Sequence, residues 1–293
     1  MLSTNQHQIA STELSLCINT KGAELNSVID KRSGFEFIWQ AKTAIWNRNA
    51  PVLFPFVGKL NQNKFRVNSE IYPMTQHGFA RDFNFELIEL YKDTITLMLT
   101  DTEETLRIFP FNFKFLITYQ VIKSAIKINY SIINTGTNIL YFSVGAHPAF
   151  NLPVKDFSKF KIEFEKPENL QRHLLVDGLF SGLTENMGDK QRYLQLSNEL
   201  FMKDAIVFKY LKSISLLLVQ PGSNFKIKLN FKGFPYMGIW AKYPHQDFLC
   251  LEPWVGLADS KNFEKDLSQK EGIVKLSAGA EKHFAYKIKF TAP

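Results

Sequence analysis

Apolar and polar residues alternate with a period of two along most of this chain. The alternation is clear in residues 14–18, 83–87 and 126–132, where every second residue is apolar. It returns in four later segments, namely residues 160–164, 213–219, 225–231 and 284–290. Successive side chains of a strand point to opposite faces, so this pattern predicts many β-strands that each bury one face.

Helical periodicity is nearly absent. No segment longer than about ten residues keeps a 3.6-residue period, and the best candidates for a helical turn are residues 102–108 and 261–269. A parallel sheet would need a helix between successive strands, so the chain is predicted to be all-β, a large antiparallel β-sandwich with few short helices. We find neither a fixed-period repeat nor a linker, and expect one domain over residues 1–293.

The composition fits a globular protein with a large core. Apolar residues make up 45% of the chain and aromatic residues 14%, with 27 Phe. The net charge of +7 is spread along the chain, without a basic cluster interleaved with aromatic residues. Nucleic-acid binding is therefore not predicted, although a modest preference for anionic ligands remains open.

Cysteine usage and the amino-terminal segment bear on location. Cys17 and Cys250 both lie in strand-like apolar runs, and two cysteines cannot form a disulfide framework, so we interpret them as buried thiols in a reducing compartment. Residues 1–14 are too polar for a signal peptide, and nowhere do 18 apolar residues follow one another. We expect a cytoplasmic protein with no membrane partner.

A candidate for acid/base chemistry lies in residues 141–153, which centre on His147. Gly145 permits close backbone approach and Pro148 prevents a helix from starting on the histidine, so His147 is predicted at a rigid strand end. An imidazole in that position suits proton transfer near neutral pH. The alternative is a structural histidine that is bonded to a backbone carbonyl.

Two loops carry basic side chains. Arg48 heads a proline-rich run and could either reach an oxygen-rich ligand or pair with a surface carboxylate. Further along, His77 and Arg81 flank Gly78, and a glycine there allows a turn that brings side chains close to a bound molecule.

A buried carboxylate is predicted at Glu252. The apolar residues before it indicate a strand that should end there, because Pro253 and Trp254 follow at once. Burial of such a carboxylate costs free energy, so it indicates either a catalytic role or a paired partner. The structural alternative is a Glu that forms an ion pair with a buried Arg. Aromatic rings beside polar groups also suit the C–H faces and hydroxyls of sugars.

Three motifs in the same order resemble the aldose 1-epimerase (galactose mutarotase) superfamily, most closely its LacX-like branch. They are His77-Gly-Phe-Ala-Arg81, Gly145-Ala-His147-Pro-Ala-Phe150-Asn151 and Leu251-Glu252-Pro-Trp254-Val-Gly-Leu-Ala-Asp259. Trp-x-Arg48 ahead of Leu-Phe-Pro adds to the resemblance, which spans nearly the whole chain from Leu14 onwards. The resemblance implies a galactose mutarotase-like sandwich of two sheets, with a sugar bound in a cleft.

The resemblance also implies roles for individual residues. Glu252 would be the catalytic base and His147 the catalytic acid, with His77, Arg48 and Asp204 as sugar-binding groups. Arg81 is a further candidate for substrate binding. The pair would open the ring by removing the anomeric proton and protonating the ring oxygen, from opposite sides of the sugar, and no metal or other cofactor is required.

Four questions remain open from the sequence. The substrate could be a neutral aldohexose, which we favour, or a hexose 6-phosphate, which the two arginines would suit. The protein could instead bind carbohydrate without turnover, or hold a metal through His77, His147 and Glu252, although none of these is at a short ligand spacing.

Residues 151–203 match no specificity loop that we can assign. We expect a monomer or a weak homodimer.

Overall fold

The computed structural model describes residues 5–293, so the first four residues of the polar amino-terminal segment lie outside the described part. The described chain is mostly strand. In chain order the strands are β1 (Gln6–Ala10), β2 (Leu14–Asn19), β3 (Leu25–Asp30), β4 (Val52–Leu53), β5 (Lys64–Val67), β6 (Glu70–Pro73), β7 (Glu86–Leu90), β8 (Thr94–Thr100), β9 (Phe113–Ile122), β10 (Ala125–Asn134), β11 (Leu140–Phe142), β12 (Val144–Ala146), β13 (Ala149–Asn151), β14 (Lys161–Glu168), β15 (Gln171–Val176), β16 (Leu179–Asn186), β17 (Gln191–Gln195), β18 (Ile206–Lys209), β19 (Ser215–Val219), β20 (Lys226–Asn230), β21 (Tyr236–Trp240), β22 (Phe248–Val255), β23 (Val274–Leu276) and β24 (Glu281–Thr291).

Two large antiparallel sheets form the molecule, which confirms the predicted fold class. One sheet has nine strands in the order β17-β14-β19-β20-β24-β10-β9-β8-β7. The other has eight, in the order β16-β15-β18-β21-β22-β12-β4, with β13 paired to β22. Small sheets of β1–β3, β5–β6 and β11–β23 are added to these. The division into one domain over residues 1–293 stays a prediction.

The period-two pattern explains why the sheets pack together. In β9 every second residue, from Phe113 to Val121, is buried. Aromatic rings from the two sheets meet between them: Phe164 of β14 lies 6.2 Å from Phe208 of β18, centroid to centroid. Because strand side chains alternate in direction, one apolar face per strand is enough to form this core.

Strand β22 corrects one prediction. It does not end at Glu252 but continues through Pro253 to Val255, and all eight of its residues are buried. The Leu251 N–H donates to the Pro148 carbonyl, and Pro253, two residues on, directs its nitrogen to the same side. On that side β13 pairs with residues 248–250 and β12 with residues 254–255, so Pro253 faces the break between them. A residue without an N–H is therefore tolerated there.

The helical predictions are half right. Helix α1 (Glu103–Ile108) is capped by Thr102, whose hydroxyl accepts from the Thr105 N–H, as expected for residues 102–108. In residues 261–269 only Leu267–Gln269 form a turn of 3₁₀-helix. Four more 3₁₀ turns are present, at Asn61–Asn63, Ala80–Asp82, Phe157–Lys159 and Asn198–Phe201. Among residues 5–293, no helix has the length and apolar character needed to cross a membrane.

Candidate active site

A cavity of about 330 Å³ opens beside the eight-stranded sheet. Its volume lies near the lower end of the range of about 300–1,000 Å³ that is usual for small-molecule sites. Four aromatic side chains contribute to its walls: Trp46, Phe180, Trp240 and Trp254. Its polar lining consists of Gln76, His77, Arg81, His147, Asp204, Lys242 and Glu252. Five of the six predicted site residues thus meet in one cavity.

His147 and Glu252 lie next to each other in the wall of the cavity. His147 directly follows β12, as predicted, and Glu252 lies in the middle of β22 at the break beside His147 and Pro148. His147 Nε2 is 3.3 Å from Glu252 Oε2. The two side chains therefore belong to one wall, and the expectation that they act from opposite sides of the sugar is wrong. The carboxylate is 1% exposed, so protein surrounds the pair almost completely.

Two tryptophans hold the ring of His147 in place. Trp46 stacks on the imidazole with a centroid distance of 5.1 Å and an interplanar angle of 27°. Trp240 meets it edge to face at 5.6 Å. Contacts on the face and at the edge restrict rotation of the imidazole, so the orientation of Nε2 toward Glu252 is fixed by packing.

Burial shifts the two pKa values in opposite directions. Loss of hydration disfavours a charge on either group, so burial lowers the pKa of His147 to about 3, with Arg81 adding to the effect. Burial raises the pKa of Glu252 well above its usual value, and the nearby Asp204 raises it further. Without a ligand, the pair therefore favours a neutral imidazole beside a protonated carboxyl.

His77 lies in a turn that depends on a glycine. His77 and Gly78 have φ of +68° and +73°, and a Cβ at Gly78 would lie 2.3 Å from the Phe54 carbonyl oxygen. The Gly58 N–H donates to His77 Nδ1 at 3.1 Å, so the neutral ring carries its proton on Nε2. The side-chain amide of Gln76 lies 3.2 Å from His77 Nε2, and the His77 ring is 5.6 Å from that of His147.

The two arginines differ in position. Arg81 lines the cavity, and its Nη2 donates to the Gln76 carbonyl at 2.6 Å. Arg48 lies outside the cavity lining, where its Nη2 is 2.6 Å from Asp82 Oδ1 and its Nη1 donates to the Arg81 carbonyl. The structure therefore does not bring Arg48 into the cavity, because Asp82 and the Arg81 backbone occupy its guanidinium group. It supports the turn that carries Arg81.

Asp204 reaches the cavity from a turn that a buried arginine holds. Asp204 has φ of +67° and its Oδ1 accepts from the Ala205 N–H at 2.7 Å. Arg172 of β15 is 2% exposed, and its Nη2 lies 2.9, 2.8 and 3.3 Å from the carbonyl oxygens of residues 203, 204 and 205. One guanidinium group therefore fixes the backbone that presents Asp204.

Trp254 lies flat against the sheet because its neighbour in the pairing is a glycine. Gly145 pairs with Trp254, and a Cβ there would lie 2.7 Å from the indole ring. Within residues 5–293, Trp254 Nε1 and Glu252 Oε2 are both buried and without a hydrogen-bond partner. Both residues line the cavity, so this wall carries a donor and an acceptor for a polar ligand.

Sequence reasoning missed part of the wall. Leu175, Gly178 and Phe180 belong to the hairpin of β15 and β16, within residues 151–203, to which we assigned no role. Lys242 and Gln76 were not selected either. Lys59 Nζ donates to the Asp177 carbonyl and so ties the hairpin tip to the cavity rim, a long-range contact that leaves no local pattern in the sequence.

The buried cluster of possible metal ligands differs from the set of His77, His147 and Glu252 that the sequence leaves open as an alternative. One ligand atom from each of His147, Cys250 and Glu252 lies within 4.8 Å of the others, and all three residues are buried. His77, a member of that alternative set, instead accepts from the Gly58 N–H. Cys250 is buried as predicted, whereas Cys17 is only half-buried, and both thiols are free.

The sequence profile of the family described as aldose 1-epimerase matches residues 6–265. The chain belongs to the aldose 1-epimerase family. It is 29% identical over 282 residues to protein LacX of Lactococcus lactis subsp. lactis, which covers 92% of this chain and 94% of the relative. This membership supports a small-molecule carbohydrate as the ligand, in agreement with the aromatic and polar lining of the cavity.

Solved structures of similar proteins share the fold. A galactose mutarotase related enzyme from Lactobacillus acidophilus is 31% identical, with a TM-score of 0.93 over 98% of this chain and 97% of that chain. A galactose mutarotase-like protein from Lactobacillus casei is 29% identical, with a TM-score of 0.91 over 97% of this chain and 99% of that chain. The galactose mutarotase-like fold expected from the motifs is thus confirmed.

Proposed function

We propose that this protein is a cytoplasmic aldose 1-epimerase that interconverts the α and β anomers of a neutral aldohexose without a cofactor, as a monomer or weak homodimer. The observation that carries the proposal is the 3.3 Å separation of His147 Nε2 and Glu252 Oε2 in the cavity wall. The anomeric oxygen O1 and the ring oxygen O5 of a pyranose are bonded to the same carbon. An acid and a base that serve these two oxygens must therefore be neighbours, as these groups are.

The reaction needs two proton transfers at C1. Ionised Glu252 takes the proton from the O1 hydroxyl, the C1–O5 bond breaks, and protonated His147 gives its proton to O5. Rotation about the C1–C2 bond of the open aldehyde then presents the other carbonyl face. O5 attacks C1 and returns its proton to His147, while O1 regains one from Glu252. Each transfer by a positioned group contributes a factor of roughly 10² to 10⁴.

The remaining lining would bind and orient the sugar. The rings of Trp46, Trp240 and Phe180 offer apolar surface for the C–H faces of a pyranose. His77 Nε2–H and the Asp204 carboxylate offer a donor and an acceptor for hydroxyl groups. Arg48 keeps an indirect part in this proposal, since it holds Asp82 and the backbone of Arg81.

A hexose 6-phosphate is the second candidate substrate. Arg81 and Lys242 both line the cavity, and either could bind a phosphate group. We favour the neutral sugar because the Arg81 guanidinium already donates to the Gln76 carbonyl and lies 3.7 Å from Asp82.

Polarimetry tests the proposal directly. Freshly dissolved α-D-glucose or α-D-galactose should approach its equilibrium rotation faster with the protein than with buffer alone, in proportion to protein concentration. Sugar binding by calorimetry without any acceleration would contradict the proposal and favour a carbohydrate-binding protein of the same fold. Preincubation with excess chelator should leave the rate unchanged, because neither proton transfer uses a metal.

A further inference from the structure

We propose that His147, Cys250 and Glu252 form a binding site for a thiophilic divalent cation such as Zn²⁺ or Cd²⁺, and that a bound cation blocks the acid/base pair. The binding part stands on the geometry of the three side chains. The inhibition part rests on the proposed function, since it requires that His147 and Glu252 transfer protons. This cation would be an inhibitor and not a cofactor.

The strand geometry places the three ligands together. Cys250 and Glu252 are two residues apart in β22, so their side chains point to the same face of the sheet. His147 follows β12 and reaches Glu252 across the break beside β22. One ligand atom from each residue lies within 4.8 Å of the other two. In a tetrahedral zinc site, bonds of about 2.0–2.3 Å separate neighbouring ligand atoms by about 3.3–3.8 Å, so shifts of about 1 Å are sufficient.

The donor atoms suit zinc in particular. A nitrogen, a sulfur and a carboxylate oxygen are the three ligand types found in zinc sites, and hard cations such as Mg²⁺ prefer sites made of oxygen alone. A thiolate and a carboxylate would neutralise the two positive charges of the ion, and a neutral imidazole would supply the third lone pair. The resulting complex has no net charge, as an apolar environment requires.

Two of the proposed ligands, Glu252 Oε2 and the Cys250 thiol, are placed so that a cation could bind them. Glu252 Oε2 is buried, and a cation would replace its 3.3 Å contact with His147 Nε2 by bonds to both atoms. Cys250 is fully buried, takes no part in the proposed proton transfers and lies outside the cavity lining. A cation would take up the lone pairs of Nε2 and Oε2, which are the ones that the reaction needs.

Binding is tested by ultraviolet absorption, which requires no catalytic activity. Cd²⁺ is titrated into chelator-treated protein, and the charge-transfer absorption of a Cd²⁺–thiolate bond is followed in the wild type and in Cys250→Ala, Cys250→Ser and Cys17→Ala. In the wild type and in Cys17→Ala this absorption should rise until one Cd²⁺ is bound per protein. Neither Cys250 variant should develop it. Absorption that persists without Cys250, or is absent from the wild type, would overturn the site.

Inhibition is tested on the same variants by polarimetry. Zn²⁺ should slow mutarotation in competition with sugar, chelator should restore the rate, and Mg²⁺ at the same concentration should have no effect. Cys250→Ala should keep its basal rate but need roughly tenfold more Zn²⁺ for half inhibition, since it lacks one ligand. Equal Zn²⁺ sensitivity of the wild type and Cys250→Ala would overturn the inhibitory role. If the wild type gave the Cd²⁺ band but neither it nor any variant accelerated mutarotation, the proposed function would be wrong and the cation site would be supported.

Discussion

His147 and Glu252 are best understood as one unit that carries one proton. Burial lowers the pKa of His147 to about 3 and raises the pKa of Glu252 well above its usual value. The resting form is then a neutral imidazole beside a protonated carboxyl. The form that reacts, imidazolium beside carboxylate, holds the same number of protons, and a transfer over 3.3 Å converts one into the other.

Removal of either proton carrier should abolish turnover while leaving sugar binding in place. Glu252→Gln and His147→Asn keep the approximate shape and hydrogen-bonding capacity of each side chain but cannot exchange the proton. We expect polarimetry to show a loss of at least about 100-fold in kcat for each variant, with the sugar Kd from calorimetry changed by less than about tenfold.

A matched control uses a buried glutamate outside the cavity. Glu168 is 2% exposed and accepts from the N–H groups of Lys212 and Ser213. Glu168→Gln changes the same atoms in a buried carboxylate and should keep the wild-type kcat. If Glu252→Gln or His147→Asn kept near wild-type kcat, the assignment of the acid and base would be wrong.

The pH dependence of kcat/KM should reflect the shared proton. With ordinary pKa values of about 4.3 and 6.5, the form with ionised Glu252 and protonated His147 would be abundant only between those values. In this site the second proton is gained only far below pH 6.5, because the pKa of His147 is lowered, and the one proton is lost only above the ordinary range of Glu. We therefore expect the acidic limb of kcat/KM to lie well below pH 6.5, and the alkaline limb to report loss of the one shared proton. A fall in kcat/KM as the pH is lowered from 6.5 to 5 would contradict this.

Asp204 supplies a control for the alkaline limb. Its negative charge contributes to the raised pKa of Glu252, so Asp204→Asn should move the alkaline limb of kcat/KM to lower pH. The acidic limb depends on the burial of His147 and should stay where it is. A shift of the alkaline limb to higher pH would show that Asp204 acts in another way.

At the scale of strands and turns, the sequence predicted local features well and long-range ones poorly. The alternation in residues 126–132 and the strand end at His147 follow from local rules, and the structure confirms both. The continuation of β22 past Pro253 could not be predicted, because it depends on a break between β12 and β13, which precede β22 by about a hundred residues.

The same limit applies to the site. Motifs identified His77, His147 and Glu252, which do line the cavity, because each lies at a turn or strand with a distinctive local sequence. Arg48 was expected there as well, yet its guanidinium group contacts Asp82, a partner 34 residues away. Phe180 enters the wall through the pairing of β15 and β16, which no local pattern connects to the other site residues.

The turn that presents Asp204 should depend on Arg172 of β15. Arg172→Met keeps an apolar stem but removes the guanidinium that lies near three backbone carbonyls. Because Asp204 is proposed to bind sugar and not to transfer protons, we expect KM to rise about tenfold or more with kcat within about threefold of the wild type.

A purely structural role would look different. It would lower the melting temperature of Arg172→Met and leave KM unchanged, so thermal unfolding is measured beside the kinetics. Arg192 serves as the matched control, since it is exposed and its one hydrogen bond within residues 5–293 is to the Glu165 carbonyl, at 3.5 Å. Arg192→Met should change neither KM nor kcat.

For the whole molecule, charge bears on the substrate. The chain carries a net charge of +7, which favours anions at long range. Inside the cavity the balance differs, because the carboxylate of Asp204 accompanies Arg81 and Lys242. Asp82 lies within 2.6 Å of Arg48 and 3.7 Å of Arg81, so the positive charge of the two arginines is partly neutralised. This balance supports our proposal that the substrate is a neutral sugar and not a phosphate dianion.

This balance leads to a prediction about substrate preference. We expect kcat/KM for glucose or galactose to equal or exceed that for the corresponding 6-phosphate at low and at high salt, because no strong ion pair is required. Lys242→Met should leave kcat/KM for the neutral sugars within about threefold of the wild type, since it removes only a rim charge. A phosphate preference of about tenfold or more would identify a hexose-6-phosphate 1-epimerase if it weakened as salt rose and disappeared in Lys242→Met, because screening acts on exposed charge pairs. A preference for neutral sugars that salt does not change would instead assign the specificity to the aromatic walls and hydroxyl-binding groups of the cavity.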